Sequence, residues 1–434
     1  MKRILLSALL LGTLSLAMAQ DPADYVMGTT GVINDAKFVE DVLENKYPGF
    51  KEAVQTSFDN AHQFSTKSGQ VHEVNVVVHV VYSAPEINLP DSVIYNQMDI
   101  LNADYNRTNA DSMNLRTIFQ PIAGNPHIHF NLVSIERVST TATFALGFAG
   151  MPDEVKQSAE GGSDAWDTEH FLNIWVCKLE NSFGALFGYA YPPAGLSNWP
   201  SGSNAPSPEL DGVVLDYRTV GNNNPNPYPN PQGGGNFDLV GRTAVHEVGH
   251  YLGLRHIWGD GGGLFGGESC GDDDGMNDTP NQGYQSEFNC DTTLNTCIDS
   301  VGGQPDPNDL PDLIENHMDY SAETCKNMFT VEQAMHMRGV LENERVGLLD
   351  DLAGVEESSV EFGLYPNPAR EIINVYLPDS RGDLMIYDAF GRLMLKVSQS
   401  NELTRIDCSN WSKGIYYISY HSENVVMNKT FVKE

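Results

Sequence analysis

Basic residues are scarce in this chain. Its 434 residues include 25 Lys and Arg against 58 Asp and Glu, which gives a formal net charge of −33 at pH 7. Nucleic acid and anionic membrane surfaces would repel so acidic a protein, and neither is expected as a partner. The carboxylates suit a soluble exported protein and are compatible with Ca²⁺ binding, although solvation of the surface explains most of the charge.

Long apolar runs are absent after residue 19. The N-terminus has two basic residues, an apolar stretch over residues 4–16 and an A-x-A site that ends at Ala19. This pattern predicts a signal peptide over residues 1–19. The apolar stretch is too short for a comfortable membrane span, and no later segment approaches ~20 apolar residues. No transmembrane segment is therefore expected.

Cysteine is absent between residues 20 and 176. Export permits disulfides, and four of the six cysteines cluster late in the chain: Cys270, Cys290, Cys297 and Cys325. Cys177 lies in an apolar run and is expected to be a buried free thiol. Cys408 stands alone near the C-terminus.

The most informative stretch is HEVGHYLGLRH. His246 and His250 are four residues apart, so on a helix they project from one face and can share a metal ion. Gly253 permits a sharp turn that brings His256 back as a third ligand. Glu247 is placed to hold a water molecule at the fourth position, as in catalytic zinc sites. The alternative is an ordinary amphipathic helix with surface histidines, which does not require the full pattern.

An acidic segment, CGDDDGMNDTPNQ, follows at residues 270–282. Carboxylates at this density, with glycines that allow tight turns, are hard oxygen ligands suited to Ca²⁺. The spacing is not that of an EF-hand. An exposed acidic loop without an ion is an equal alternative.

Alternating strands and long helices predict an α/β fold built on a twisted mixed sheet. Apolar, β-branched runs predict core strands at residues 72–83, 127–138, 171–179 and 211–217, and an edge strand at 184–193 able to align an extended peptide. Apolar residues at helical spacing predict helices at residues 35–45, 91–107 and 325–349. The low-complexity residues 221–235 are expected to form a surface loop.

Residues 20–68 are polar and precede the first core strand. They are either a pro-segment or an N-terminal extension that is disordered or packs on the rest. A pro-segment that silences a zinc site supplies a ligand in place of the water, and no cysteine is available for this. The candidates are Asp21, Asp24, Asp35 and Asp41, among which the sequence does not choose.

At HEVGHYLGLRH the chain resembles the metzincin clan of zinc metallopeptidases, and NHMDY at residues 316–320 resembles their Met-turn. It is more narrowly similar to the pappalysin family. The similarity extends, in family order, through VVVHVVY, LNADYNRTNAD, LNIWV, GYA, DGVV, HIWGD, CGDDDG and DTP, and covers roughly residues 72–345.

This resemblance implies a role for each matching residue. His246, His250 and His256 would bind one catalytic Zn²⁺, and Glu247 would be the general base. Tyr320 would stabilise the oxyanion. Met318 would be the Met-turn residue beneath the metal ligands.

The resemblance also implies structural features of the acidic segment and of a substrate pocket. The disulfides would be Cys270–Cys297 and Cys290–Cys325. Arginine-directed relatives have an acidic residue two positions beyond the last paired cysteine, where this chain has Asn327, so a preference for basic P1′ residues is not carried over. The family's structural Ca²⁺ site would use Asp274, Asp278 and Thr279, with Asp272 as a further candidate.

The C-terminal residues alternate short strands with turns, which predicts a small β-sandwich. The motifs YPNPA, DAFGRLM, WSKGIYYI and KTFVK resemble the sorting domain of type IX secretion. This implies that the type IX machinery is a partner and that the protein is secreted or attached to the cell surface after outer-membrane translocation. A carbohydrate-binding sandwich is the alternative.

Together these patterns predict a secreted zinc endopeptidase that acts on proteins or peptides. The expected organisation is a signal peptide (1–19), a pro-segment (20–68), a catalytic domain (69–350), a linker (351–362) and a sorting domain (363–434). A zinc-containing adhesion protein without catalysis, or a protein acting mainly in surface attachment, are the alternatives. The oligomeric state is not indicated.

Overall fold

A computed structural model describes most of the chain and divides it into two compact units, before and after residue 350. The predicted signal peptide, Asp21 and the predicted linker lie outside the described residues. The described residues are 22–27, 32–63, 70–147, 150–180, 184–193, 207–231, 233–260, 269–301, 304–307, 309–349, 363–365, 367–376, 382–388, 392–398, 403–421 and 426–434.

The first unit contains α-helices, strands and short 3-10 helices. The α-helices are α1 (Asp35–Lys46), α2 (Phe50–Gln63), α3 (Asp91–Tyr105), α4 (Arg242–Tyr251) and α5 (Val331–Asn343). The strands are β1 (Val26–Met27), β2 (Val32–Ile33), β3 (His72–Tyr82), β4 (Ala123–Gly124), β5 (Ile128–Ser139), β6 (Phe144–Ala145), β7 (Leu172–Cys177), β8 (Leu179–Glu180), β9 (Gly188–Ala190), β10 (Val213–Asp216), β11 (Ser300–Val301), β12 (Gln304–Pro305) and β13 (Phe329–Thr330). The 3-10 helices are Pro22–Tyr25, Ala110–Asn114, Thr117–Ile122, Asp153–Lys156, Ser158–Glu160, Pro208–Leu210, Tyr217–Thr219 and Val346–Leu349.

A five-stranded sheet organises the first unit in the order β5-β3-β7-β10-β9. The pairs β3/β5, β3/β7 and β7/β10 are parallel, whereas β9 is antiparallel to β10. β7 and β10 are buried along their whole length, which is why they are uniformly apolar rather than alternating. The predicted α/β fold with a mixed sheet is confirmed, and β9 lies at the sheet edge.

Two apolar clusters cover the two faces of this sheet. Alternate β3 residues from Val74 to Val80 join one cluster with α3 and α4, whereas Val81 belongs to the other. The second cluster is completed by α1 and the start of α2, through side chains that include Phe38 and Phe50. Residues that precede the first core strand therefore share the core of the domain that follows.

Helix α5 begins later than its sequence pattern indicates. The apolar residues from position 325 suggest an earlier start, but Thr330 caps the helix. Its hydroxyl accepts from the Gln333 backbone N–H, and the Gln333 side chain accepts from the Thr330 N–H. This capping box fixes the first turn at Val331.

The second unit has antiparallel strands only, within its described residues. A three-stranded sheet β14-β15-β18 and a four-stranded sheet β17-β16-β19-β20 share a core of their own that includes Ile386, Ile418 and Phe431. Their bounds are β14 (Gly363–Tyr365), β15 (Ile372–Tyr376), β16 (Asp383–Asp388), β17 (Leu393–Val397), β18 (Leu403–Asp407), β19 (Gly414–His421) and β20 (Val426–Lys433). None of the helices in the described part of the chain could cross a membrane.

Candidate active site

Helix α4 carries the first half of the predicted site. All ten of its residues are buried, so His246, Glu247 and His250 face protein rather than solvent. Glu323 satisfies the start of the helix: its carboxylate accepts from the backbone N–H of Arg242 at 3.0 Å and from the Thr243 hydroxyl at 2.6 Å. A carboxylate at this end also interacts favourably with the helix dipole.

The chain turns sharply after α4. Gly253 has a φ of 86°, in the left-handed region, which glycine adopts without the penalty that a side chain would bring. A Cβ here would lie 2.9 Å from His336 Nε2. The turn brings His256 beside His246 and His250, as the spacing predicts.

The three histidines have a defined tautomer. His246 Nδ1 lies 2.7 Å from the His317 carbonyl, and His250 Nδ1 lies 2.8 Å from the Leu254 carbonyl. His256 Nδ1 faces a carboxylate at 2.6 Å. These oxygens can only accept, so each Nδ1 carries the proton and each Nε2 presents a lone pair.

The three Nε2 atoms converge on one point, with separations of 3.0, 3.1 and 3.1 Å. With no proton between them, lone pairs this close repel unless a cation binds them. Tetrahedral Zn²⁺ has Zn–N distances of about 2.0–2.1 Å, which places its nitrogen ligands roughly 3.3 Å apart. The donor set therefore fits one Zn²⁺.

Asp260 contacts one of the three histidines, and its role was not predicted from the sequence. Asp260 accepts from His256 Nδ1 and from the Asn34 side-chain amide at 2.7 Å. Burial opposes ionisation of Asp260, but His256 and the hydrogen bonds outweigh it and lower the pKa of this carboxyl. Its position four residues after His256, in HIWGD, was a signal available in the sequence.

A fourth potential ligand comes from α1. Asp35 offers a carboxylate oxygen that, with one nitrogen from each histidine, belongs to a group of atoms all within 4.8 Å of one another. The Tyr320 hydroxyl donates to Asp35 Oδ1 at 2.6 Å. Asp41 instead accepts from the Tyr25 hydroxyl at 2.9 Å. Among the described aspartate side chains before residue 69, Asp35 is thus the one that meets the histidines.

Glu247 is held between the histidines and the edge strand. It is 2% exposed, and its Oε2 has no hydrogen-bond partner. Burial, and next the neighbouring Asp35 carboxylate, raise the pKa of Glu247 well above its usual range. Gly188 in β9 makes room for it, because a Cβ there would lie 2.9 Å from Glu247 Cγ. Sequence reasoning assigned Gly188 no such role.

Met318 and Tyr320 are both buried next to α4. A Cβ on Gly249 would lie 2.5 Å from Met318 Sδ, so the methionine packs directly under the helix. The Tyr320 ring contacts the rings of His246 and His256, with centroids 5.4 and 4.8 Å away. Burial, and next the Asp35 carboxylate, raise the pKa of Tyr320 well above its usual range, so its hydroxyl is a donor at neutral pH.

Two disulfides follow α4 in the chain. Cys270–Cys297 ties the start of the acidic segment and Cys290–Cys325 lies beyond it, which is the pairing that the family resemblance implies. Cys177 and Cys408 are free and buried, which confirms the expectation for Cys177.

Two carboxylates of the acidic segment are left with an unsatisfied oxygen. Asp274 Oδ1 accepts from the Thr279 hydroxyl at 2.8 Å, but Asp274 Oδ2 has no partner. Asp278 Oδ1 is likewise buried without a partner. Burial raises the pKa of Asp274 to about 8. Asp272 differs, because it is exposed and bonds to Ser269.

A cavity of about 370 Å³ lies beside Glu247 and Tyr320. Lys326 and Glu323 line its wall, whereas Asn327 is not among the described residues that line it. The backbone N–H of Asn327 donates to the Glu315 carbonyl at 2.8 Å. The pocket role of Asn327 stays a prediction, and its neighbour Lys326, one position nearer the last paired cysteine, lines this cavity.

Two family models match the chain. Residues 237–342 match the pregnancy-associated plasma protein-A peptidase family, and residues 363–434 match the secretion system C-terminal sorting domain. Extracellular metalloproteases are similar in sequence. That of Uncinocarpus reesii is 31% identical over 268 residues, 60% of this chain and 73% of the relative. That of Arthroderma benhamiae is 26% identical over 307 residues, 69% of this chain and 83% of the relative.

Solved structures of mirolysin are also similar. Mirolysin in complex with compound 9 is 35% identical with a TM-score of 0.52, and the match covers 65% of this chain and 97% of that one. Mature mirolysin of Tannerella forsythia with a cleaved peptide is 33% identical with a TM-score of 0.51, covering 67% and 98%. A promirolysin mutant of the same organism is 31% identical with a TM-score of 0.54, covering 72% and 95%.

Proposed function

Because the chain belongs to the pappalysin family of metzincin metallopeptidases, we propose that it is a zinc-dependent endopeptidase made as a latent precursor. It is an extracellular metallopeptidase with a type IX sorting domain, secreted and attached at the cell surface. The observation that carries the proposal is the convergence of three unprotonated Nε2 atoms beside a buried glutamate.

The proposed roles follow from the contacts. Zn²⁺ held by His246, His250 and His256 would lower the pKa of a water molecule and polarise the scissile carbonyl. Glu247 accepts the proton of that water as it attacks, and then delivers the proton to the leaving amine. The Tyr320 hydroxyl donates to the developing oxyanion. The free edge of β9 aligns the substrate in an extended conformation.

Latency is proposed to depend on Asp35. Its carboxylate occupies the position at the histidines that a substrate carbonyl or a water would need, and it holds the Tyr320 hydroxyl at 2.6 Å. It also lies close enough to Glu247 to suppress ionisation of the base. The precursor therefore engages the metal ligands, the base and the oxyanion donor through one residue. A promirolysin structure among the neighbours is in keeping with a precursor form.

Ca²⁺ is proposed as a structural ion of the acidic segment. The buried unpartnered oxygens of Asp274 and Asp278 are hard donors, and a buried carboxylate without a partner is costly unless a cation binds it. Thr279 adjoins Asp274, whereas Asp272 is turned towards Ser269. Asp274 and Asp278 are therefore the stronger candidates.

The decisive experiment replaces the general base. Glu247→Ala, activated by limited proteolysis alongside the wild type, is expected to lose about 10²–10⁴-fold of casein cleavage, with Zn²⁺ content near one per chain. Glu180→Ala, which removes an exposed glutamate on β8, is the matched control and is expected to retain activity. Cleavage by the Glu247→Ala protein at the wild-type rate would refute the assignment of Glu247 as the general base, whereas absence of cleavage by the activated wild type would favour a zinc-containing binding protein.

A further inference from the structure

The cavity beside Glu247 lies on the side of the site where the leaving group departs. Glu247 protonates the leaving amine, and that amine belongs to the residue that follows the scissile bond. A second cavity on the other side is lined by His250 and Leu254 but, within the described residues, not by Glu247. The side chain that follows the scissile bond, P1′, is therefore expected to enter the cavity that Glu247 lines.

Lys326 is the one lysine or arginine among the described residues that line this cavity. The residue is 4% exposed, and none of the hydrogen bonds or ion pairs of the described residues involves its Nζ. Its backbone is fixed on both sides, by the Cys290–Cys325 disulfide and by the bond from Asn327 N–H to the Glu315 carbonyl. The carboxylates of Glu323 and Asp319 act on this ammonium without a direct contact. A buried ammonium that makes no direct hydrogen bond is costly, so a ligand that pairs with it gains more than it would at the surface.

Glu323 does not cancel this charge at the cavity wall. Its two oxygens already accept from the Val240 N–H at 2.6 Å, the Arg242 N–H at 3.0 Å and the Thr243 hydroxyl at 2.6 Å. These donors and the N-terminal end of α4 neutralise the carboxylate locally. A basic substrate side chain would find no free acceptor there and would meet Lys326.

The proposed pro-segment lines the same cavity with apolar and acidic groups. Val32 and Ile33 line it together with Asp35. The cavity therefore becomes available to substrate when the pro-segment leaves, and the departing carboxylate of Asp35 increases its positive character.

We propose that Lys326 makes the enzyme select an acidic side chain, Glu or Asp, at P1′, with neutral acceptors such as Gln next and basic residues last. This inference rests on the proposed peptidase function and specifies its substrate class. Burial lowers the pKa of Lys326 although the nearby carboxylates of Glu323 and Asp319 oppose this, and the carboxylate of a bound substrate would stabilise the ammonium further.

The test compares peptides that are identical except at P1′, with Glu, Gln, Leu or Arg, cleaved by enzyme activated from the full chain. We expect kcat/KM for Glu to exceed that for Leu and for Arg by about tenfold. Lys326→Met should reduce the Glu-to-Leu ratio about tenfold while cleavage of the Leu peptide stays within about threefold. Lys178→Met, which removes an exposed lysine, should leave the ratio unchanged.

Each other outcome counts against the proposal. A wild-type profile without preference for Glu, or with preference for Arg, overturns it even if Lys326→Met fails to fold. An equal loss on all four peptides in Lys326→Met, with a shifted pH profile, would assign Lys326 to Glu247 rather than to the substrate. Absence of cleavage of every peptide and of casein would instead remove the proposed function on which this inference depends.

Discussion

The segment before the catalytic domain and the unit after it are built in opposite ways. Residues 32–63 have no core of their own: Phe38 and Phe50 pack in a cluster with Val81 and Trp175 of the sheet. The second unit encloses its own core, in which Ile386, Ile418 and Phe431 pack against one another. The first is proposed to be a pro-segment and the second is a sorting domain, and only the first shares a core with the catalytic domain.

The difference indicates how each segment works. An inhibitory segment has to hold its residues in a fixed position at the site. Packing into the core of the catalytic domain provides this and places Asp35 at the histidines. A sorting segment has to present a surface that the secretion machinery binds. A β-sandwich with its own core can present that surface by itself. Four predictions test this contrast.

The largest effect is expected from truncating a core phenylalanine in each region. Phe38 is 0% exposed and contacts Tyr25 edge-on, with ring centroids 4.9 Å apart. Phe38→Ala should cost about 3–5 kcal/mol and lower the calorimetric transition of the first unit alone. Phe431→Ala is the matched variant and should lower only the other transition. A shift of both transitions by either variant would contradict the contrast.

Replacing the inhibitory carboxylate is expected to have the next largest effect. Asp35→Asn in the full chain should raise casein cleavage about 10–100-fold before any maturation, because a charge-assisted contact of about 1.5–3 kcal/mol is lost. Asp41→Asn on the same helix is the control. If the two variants behaved alike, latency would depend on bulk coverage rather than on Asp35.

Ca²⁺ is expected to matter for the first unit and not for the second. Phe58 of α2 packs against the acidic segment, since a Cβ on Gly275 would lie 2.7 Å from Phe58 Cζ. Protein stripped of ions and given Zn²⁺ alone should melt about 2–4 °C below protein given both ions, in the first transition only. Asp274→Asn should abolish this response. An unchanged melting temperature would contradict the proposed calcium site.

The smallest effect is expected from deleting residues 351–434. Because the second unit has a separate core, its removal should shift the melting temperature of the first unit by no more than about 1 °C and leave the precursor latent. A large loss of stability would show that the two units depend on each other.

The sequence was sufficient to predict those parts of the site whose residues are close together in the chain. The spacing of His246, His250 and His256, with Gly253 between, requires only helix geometry and one turn. The buried strands β7 and β10 could be recognised from apolar runs. Asp35 could not be selected among four aspartates, because its position depends on the path of residues 32–34 along the domain, more than 200 residues before α4 in sequence.

Two further residues depend on tertiary contacts in the same way. From the sequence, Lys326 resembles a surface lysine next to a cysteine. In the structure, the Cys290–Cys325 disulfide and the bond to the Glu315 carbonyl fix the neighbouring backbone beside the site. Asp260 lies beyond α4, with a φ of 55°, so its contact with His256 could be suspected from the motif HIWGD but not from a helical face.

Asn34 and Asp35 are neighbours in the chain with distinct tasks. Asn34 accepts from the Lys37 N–H to begin α1 and donates to the carboxylate that orients His256, while Asp35 faces the histidines. A shift of one residue along the chain would remove the helix cap and the proposed inhibitory contact together. An activating protease then has no need to reach the metal: a cut at the far end of α1 that unwinds the helix would switch the enzyme on at a distance.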